Sequence, residues 1–241
     1  KNVDYFMAHG FNYFDTAYIY HGELSENAYG EAVVDRYPRD SFLLSTKMPV
    51  KQMNSADQME PIFEEQLKKC HVDYFDFYLV HCVSRDTYER CKEWGVFEFL
   101  KKKRAEGKFR EFGVSLHDSP EFLEEILNEH PEIDFVVPAG TTIQNLRTSF
   151  LGDTLTRDGY HMSYNLGRYA VGLTWILKIA GWSIDDVTFT PSAAEVPASY
   201  LPMIKEAVKN AVADPWEVTR STYLSGPFYN DYGTMVELDI K

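Results

Sequence analysis

Short apolar runs alternate regularly with amphipathic segments over residues 1–137. The runs are flanked by turn residues and comprise residues 12–15, 42–47, 75–81, 110–115 and 133–138. Short, nearly continuous apolar runs are typical of parallel strands that are covered on both faces. The pattern therefore predicts an α/β fold with at least five parallel strands.

Helical patterns separate these runs, at residues 25–36, 55–70, 87–106 and 119–130. The last of these begins with Ser119-Pro120, an arrangement that favours a helix start because proline fits the first turn. Strands that alternate with helices of this length indicate βαβ units.

The regular alternation of apolar runs and helical patterns stops after residue 137. Residues 138–157 are polar and turn-rich without clear periodicity, whereas residues 165–180 and 199–212 have helical patterns. Residues 187–190 are compatible with a short strand. The pattern of residues 223–241 does not indicate a helix or a strand. The sequence thus predicts two domains, 1–137 and 138–241, with separate cores or one shared core.

The composition narrows the classes of partner. A net charge of -13 repels phosphate backbones and anionic lipid, so we expect no nucleic-acid or membrane partner. Cys70, Cys82 and Cys91 lack the paired spacing of a metal site. They are expected to be reduced thiols of a cytoplasmic protein without a bound metal.

Four polar residues lie at or just beyond the ends of successive predicted strands: Asp15, Tyr20, Lys47 and His81. The carboxyl ends of parallel strands gather on one face, so these side chains could converge. A tyrosine donates a proton more easily beside an ammonium group, and an aspartate could hold that ammonium. A histidine could orient a carbonyl oxygen.

Ordinary structural roles are the alternative for the same residues. Asp15 could cap a helix, Lys47 could be a surface charge at a strand end, and His81 could be a satisfied core histidine. The spacing of the residues leaves both interpretations open.

The motifs around these residues resemble the aldo-keto reductase family. They are GFNYFDTAYIYHGELSENAYGEAV, LLSTKMP, FEEQLKKCHVDYFDFYLVH and KKKRAEGKFREFGVSLHDS, in the family's order over about 135 residues. The resemblance implies part of a TIM barrel and carbonyl reduction with hydride from NADPH. It makes Tyr20 the general acid, gives Asp15 and Lys47 the role of tuning it, and lets His81 position the substrate carbonyl.

The sequence departs from the family pattern around the cofactor. Ser115 matches a serine that holds the nicotinamide carboxamide, but Leu116 stands where asparagine is usual. Val137 stands where the family has a glutamine under the nicotinamide. The basic residues that bind the adenosine phosphate are not recognisable, so the resemblance implies a tetrad with an incomplete cofactor site.

The segment PAGTTIQNLRTSFLGDTLTRDGYHMSYNLGRYAVGLTW resembles the C-terminal part of SGNH (GDSL-like) hydrolases. The resemblance implies that Asp158 orients His161 for deprotonating a serine, and that helices of a flavodoxin-like fragment complete the fold. The family's Gly-Asp-Ser block is missing, however, and a structural Asp158–His161 pair is the alternative.

Three functions therefore remain open. One is NADPH-dependent reduction of a small carbonyl compound, which an incomplete cofactor site could render inactive. The second is a catalytically silent chimera of two enzyme fragments, natural or engineered. The third is ester hydrolysis through Asp158 and His161. A homodimer would be one way to cover the exposed edges of a partial barrel.

Overall fold

The computed structural model describes residues 1–8, 10–134, 136–157, 161–226, 228–229 and 235–236. Two compact units make up the chain, Lys1–Phe135 and Val136–Lys241. No helix in the described ranges is long and apolar enough to cross a membrane.

The first unit is built on a parallel sheet. Its described strands are β1 (Tyr13–Asp15), β2 (Leu43–Met48), β3 (Phe75–Val83) and β4 (Phe109–Leu116), and they pair in chain order. All three pairings are parallel, with Asp15 opposite Ser45 and Lys47 opposite Leu79. The α/β class and the parallel pairing predicted from the apolar runs are confirmed.

Helices connect and flank the strands of this unit: α1 (Asn2–Ala8), α2 (Ser25–Tyr29), α3 (Met59–Lys69), α4 (Arg85–Trp94), α5 (Val96–Ala105) and α6 (Pro120–Glu129). A π-helical turn, Gly30–Val34, continues α2. As expected from the serine-proline pair, the Ser119 hydroxyl accepts a hydrogen bond from the backbone N–H of Phe122 at the start of α6.

Large apolar side chains from strands and helices form one core in this unit. Its fully buried members include Leu44, Phe63, Phe75, Tyr78 and Leu100. Phe63 of α3 packs against Tyr78 of β3, with ring centroids 4.8 Å apart. Burial of these side chains drives the helices onto the sheet, since each such side chain contributes about 1.5–3 kcal/mol when removed from water.

Two sequence predictions about this unit are wrong. Residues 87–106 form two helices rather than one, because Gly95 adopts a left-handed conformation (φ 67°) between α4 and α5. No strand occurs in the described part of 133–138, so the described sheet has four parallel strands rather than five. Asp134 instead makes local contacts with β4, where its carboxylate accepts from the N–H of Phe112 (2.8 Å).

The second unit is mainly helical. It contains α7 (Ala139–Arg147), α8 (Leu166–Ala180) and α9 (Leu201–Ala213), with a short antiparallel pair, β5 (Phe228–Tyr229) and β6 (Met235–Val236). The three helices enclose an apolar core that includes Leu146, Leu173 and Ile204. Hydrogen bonds between the Thr142 and Thr174 hydroxyls (2.7 Å) and from Asn145 to the Ala207 carbonyl (3.2 Å) link α7 to α8 and α9.

The helices at 165–180 and 199–212 are confirmed, whereas two other expectations for this unit are wrong. Residues 138–157 contain α7, whose buried face uses threonine and asparagine as well as leucine and isoleucine. This mixture hides the helical period from a hydrophobicity pattern. Residues 187–190 do not form a strand.

Candidate active site

The carboxyl edge of the sheet brings together the four residues singled out from the strand ends. Asp15 ends β1, Lys47 lies near the end of β2, and His81 lies near the end of β3. Tyr20 belongs to the loop that follows β1. The convergence follows from the parallel pairing, which aligns the carboxyl ends of neighbouring strands.

A buried lysine joins the first two strands. Lys47 Nζ donates to Asp15 Oδ2 over 2.6 Å and to the Thr16 carbonyl oxygen over 2.5 Å. The Lys47 side chain is only 6% exposed, whereas that of Asp15 is 37% exposed. The ammonium group is therefore compensated inside the protein, while the carboxylate also reaches solvent.

Tyr20 lies above this ion pair at the rim of the site. Lys47 Nζ is 4.9 Å from the centroid of the Tyr20 ring, and Tyr20 is 36% exposed. A run of left-handed residues, His21, Gly22 and Glu23, follows Tyr20 and turns the chain sharply. The phenol is thus held near a cation and remains accessible to a small molecule.

His81 is the buried partner of Tyr20. The two rings meet edge to face, with centroids 5.5 Å apart, and His81 is only 3% exposed. Burial, together with smaller contributions from the charges of Lys47 and His117, lowers the pKa of His81 to about 4. The ring is therefore neutral at physiological pH, and Nδ1 is buried without a hydrogen-bond partner in the described ranges.

A β-bulge follows His81. The pairing of β3 with β4 shifts register between Val80 and Val83, and Cys82 adopts φ 52°, which is unusual for a residue other than glycine. An extra residue at this point changes which face the following side chains occupy. The bulge therefore belongs to the local structure that presents His81 at the sheet edge.

Ser115 lies on β4, beside the bulge, where the resemblance places a contact to the nicotinamide. Its hydroxyl is 3.4 Å from the ring Nε2 of His117, and the backbone N–H of His117 donates to the Val83 carbonyl oxygen (2.8 Å). A serine hydroxyl and an imidazole nitrogen can both bind a carboxamide, because each can donate and accept hydrogen bonds. The donor set at this point fits the nicotinamide end of the cofactor.

A buried polar cluster behind β2 escaped the sequence analysis. Glu26 Oε1 accepts from Thr46 Oγ1 (2.6 Å) and from Gln66 Nε2 (2.7 Å). All three residues are 0% exposed. One signal was available in the sequence, since Gln66 shares the buried face of α3 with Phe63 and Leu67 at helical spacing.

The second predicted constellation is only partly visible. Asp158 lies outside the described residues, and His161 is solvent-exposed. The His161 carbonyl oxygen accepts from the N–H of Arg157 (2.9 Å), next to a bridge between Thr156 and Met162. The pairing of Asp158 with His161 therefore stays a prediction.

Over the residues that the structure describes, the three cysteines and the potential metal ligands lack the grouping that a metal site needs. Cys70, Cys82 and Cys91 carry no disulfide, and burial raises the pKa of Cys91 to about 12. Within the described ranges, no group of three histidine, cysteine, aspartate or glutamate side chains could hold a metal ion.

Two family profiles match the chain, and their matches overlap over residues 120–142. The aldo/keto reductase family profile matches residues 1–142. Residues 120–211 match a domain of unknown function, DUF4886. This match does not establish the SGNH hydrolase fragment that the sequence resemblance implies.

Individual curated relatives match about half of this chain. Norsolorinic acid reductase stcV of Emericella nidulans is 30% identical over 141 residues, covering 53% of this chain and 35% of that protein. The chain spans less than half of the length of the curated relatives it matches.

Solved aldo-keto reductases show a similar coverage. The enzyme from Brucella melitensis is 26% identical, with a TM-score of 0.40 over 51% of this chain and 45% of that chain. The Bombyx mori enzyme, solved in complex with NADP, is 25% identical, with a TM-score of 0.33 over 46% and 38%. Since the family profile matches more than half of its residues, the chain belongs to the aldo/keto reductase family.

Proposed function

We propose that this protein reduces a small aldehyde or ketone with NADPH, with Tyr20 as the general acid. The observation that carries the proposal is the grouping of Tyr20, Lys47 and His81 at one sheet edge, with Lys47 Nζ held 2.6 Å from Asp15. Membership of the aldo/keto reductase family supports carbonyl reduction as the reaction class.

Each side chain has a distinct part in the proposed reaction. Neutral His81 orients the substrate carbonyl by a hydrogen bond to its oxygen, and Tyr20 donates its phenolic proton to that oxygen as the carbonyl is reduced. The Lys47 ammonium stabilises the negative charge that develops on the Tyr20 oxygen, and Asp15 holds Lys47 in place. When bound, a nicotinamide cofactor would supply the hydride that the carbonyl carbon accepts.

Binding of the cofactor rests on fewer residues than the proton transfer. Ser115 and His117 would hold the nicotinamide carboxamide, in place of the serine-asparagine pair that the family resemblance implies. Leu116 offers no polar side-chain atom at this point, so the grip on the carboxamide differs from that in the family pattern.

A fluorescence titration with NADPH tests this proposal. Saturable binding is expected, and Ser115→Ala should weaken it about five- to tenfold because one hydrogen bond is lost. Ser41→Ala is the matched control, since the Ser41 hydroxyl donates to the Pro38 carbonyl oxygen (2.7 Å) ahead of β2, at the opposite end of that strand from Lys47. Absence of binding at millimolar NADPH would contradict the proposal and favour a catalytically silent chain.

A further inference from the structure

A polar cluster lies behind strand β2, on the opposite face from the Lys47 side chain. Adjacent residues of a strand point to opposite faces, so Thr46 faces the helices while Lys47 faces Asp15. Glu26 of α2 and Gln66 of α3 meet the Thr46 hydroxyl there. We call Glu26, Thr46 and Gln66 the polar clamp.

The clamp binds the backbone of Lys47 directly. Gln66 Nε2 donates to the Lys47 carbonyl oxygen over 3.0 Å, while its other atom, Oε1, accepts from the Tyr78 hydroxyl. Glu26 Oε1 in turn fixes the Gln66 amide (2.7 Å). The orientation of Gln66 is thereby set from three sides, and with it the point at which the Lys47 backbone is held.

The start of α2 also reaches the other anchor of Lys47. The Thr16 hydroxyl donates to Ser25 Oγ (2.8 Å), and Ser25 precedes Glu26 in the same helix. Thr16 is the residue whose carbonyl oxygen accepts from Lys47 Nζ. One short helix therefore contacts both ends of the lysine: its backbone through Gln66, and the acceptor of its ammonium group through Ser25.

A structural requirement for burial alone would not favour these residue types. Glu26, Thr46 and Gln66 are each 0% exposed, and a carboxyl group in such a position costs free energy unless it is well paired. Glu26 Oε2 has no hydrogen-bond partner among the described residues, and burial raises the pKa of Glu26. An apolar residue would fill the same volume at lower cost but could not fix Gln66.

We propose that Glu26 is a positioning residue, which fixes the Lys47 ammonium through Gln66 and thereby its aim at Asp15 and Tyr20. The effect of Glu26 on catalysis rests on the proposed carbonyl reduction. Its effect on the position of Lys47 does not. Glu26 is fully buried behind β2, so it contacts neither substrate nor cofactor. It acts entirely through the backbone of β2.

The test measures hydrogen exchange of the Lys47 ammonium group by 15N NMR on the full chain, with its signal assigned by loss in Lys47→Met. We expect a slowly exchanging signal in the parent protein and several-fold faster exchange in Glu26→Ala. Glu26→Gln should keep the slow exchange, because its amide oxygen can still accept from Thr46 and Gln66. If Glu26→Ala does not fold, Gln66→Met carries the same expectation.

Asp76→Ala is the matched control for general destabilisation. Asp76 is another buried carboxyl group of the same sheet, and its Oδ2 accepts from the backbone N–H of Leu44 on β2 (2.9 Å), away from Lys47. Unchanged exchange in Glu26→Ala, or equally accelerated exchange in Asp76→Ala, would overturn the proposal.

The NMR result does not depend on activity. A chain that reduces no carbonyl compound would contradict the proposed function and leave the test of the clamp intact. In an active chain, Glu26→Ala should lower kcat several-fold with KM unchanged, because it disturbs Lys47 rather than substrate contacts.

Discussion

The rings of Tyr20 and His81 meet edge to face at 5.5 Å, yet the two residues differ sharply in exposure, at 36% and 3%. The phenol can reach a substrate from solvent, while the imidazole is kept neutral inside the sheet edge. Such a pair suits a reaction in which one group gives up a proton and the other only orients the acceptor.

Burial of neutral His81 makes stability depend on pH. Its pKa falls from the ordinary 6.5 to about 4 on folding, so the unfolded chain binds more protons between these values. Stability from this group is therefore complete above about pH 6.5 and is lost as the pH falls to about 4, by roughly 3 kcal/mol.

Denaturant unfolding of the parent and of His81→Gln, at neutral pH and at pH 4, checks this dependence. The parent should lose more of its free energy of unfolding than the variant, since glutamine does not titrate. Equal losses in the two proteins would show that His81 does not titrate in this window.

Replacing Asp15 and replacing Lys47 should lower the free energy of unfolding by different amounts, because the two partners of this ion pair differ in exposure. Asp15→Ala leaves a buried ammonium without its carboxylate and should cost about 3 kcal/mol of unfolding free energy. Lys47→Met leaves a carboxylate that already reaches solvent and should cost about 1 kcal/mol. Chemical denaturation of both variants measures the difference, and the reverse order would count against the burial described for Lys47.

The left-handed backbone of Cys82, in the bulge beside His81, should accept glycine more readily than a branched side chain. Its φ of 52° disfavours branched side chains, so Cys82→Val should destabilise the protein by about 1–2 kcal/mol. Cys82→Gly should be nearly neutral, because relief of the left-handed conformation offsets the greater freedom of the unfolded chain. Thermal unfolding, with Cys82→Ala as the reference, checks the order, and a valine variant as stable as the glycine variant would refute it.

Two glycines of α8 should respond in opposite directions to replacement by alanine, and the comparison tests the packing of the second unit. A Cβ at Gly172 meets no atom within 4 Å, so Gly172→Ala should stabilise the unit by about 0.5–1 kcal/mol. A Cβ at Gly167 would lie 2.6 Å from the Leu155 carbonyl oxygen, so Gly167→Ala should destabilise it by about 1–3 kcal/mol. Equal melting temperatures for the two variants would argue against this packing of α8.

The sheet of the first unit was predictable because its strands are short apolar runs bounded by turn residues. The placement of Asp15, Lys47 and His81 then follows from parallel pairing, which needs no knowledge of side-chain contacts. Gly95 shows a limit of the same reasoning. A glycine inside a helical pattern is compatible with a continuous helix, and only its left-handed φ reveals two helices.

The buried carboxyl groups mark a second limit. Glu26 sits in the first turn of a helix, where acids are ordinarily solvated and favoured by the helix dipole. Its burial depends on where α3 places Gln66, some 40 residues later in the chain. The helical period of α3 marks Gln66 as buried but does not identify Glu26 as its partner, and the register shift at Cys82 leaves no periodic signal.

The role of Tyr20 as general acid is tested most directly by comparing the parent with Tyr20→Phe in the NADPH-dependent reduction of a panel of aldehydes and ketones. We expect measurable reduction by the parent and a loss in kcat of roughly 100-fold or more in the variant, because phenylalanine keeps the ring beside His81 but has no proton to donate. Reduction by Tyr20→Phe at the rate of the parent would contradict Tyr20 as the general acid, and no reduction by either protein would contradict the proposed activity.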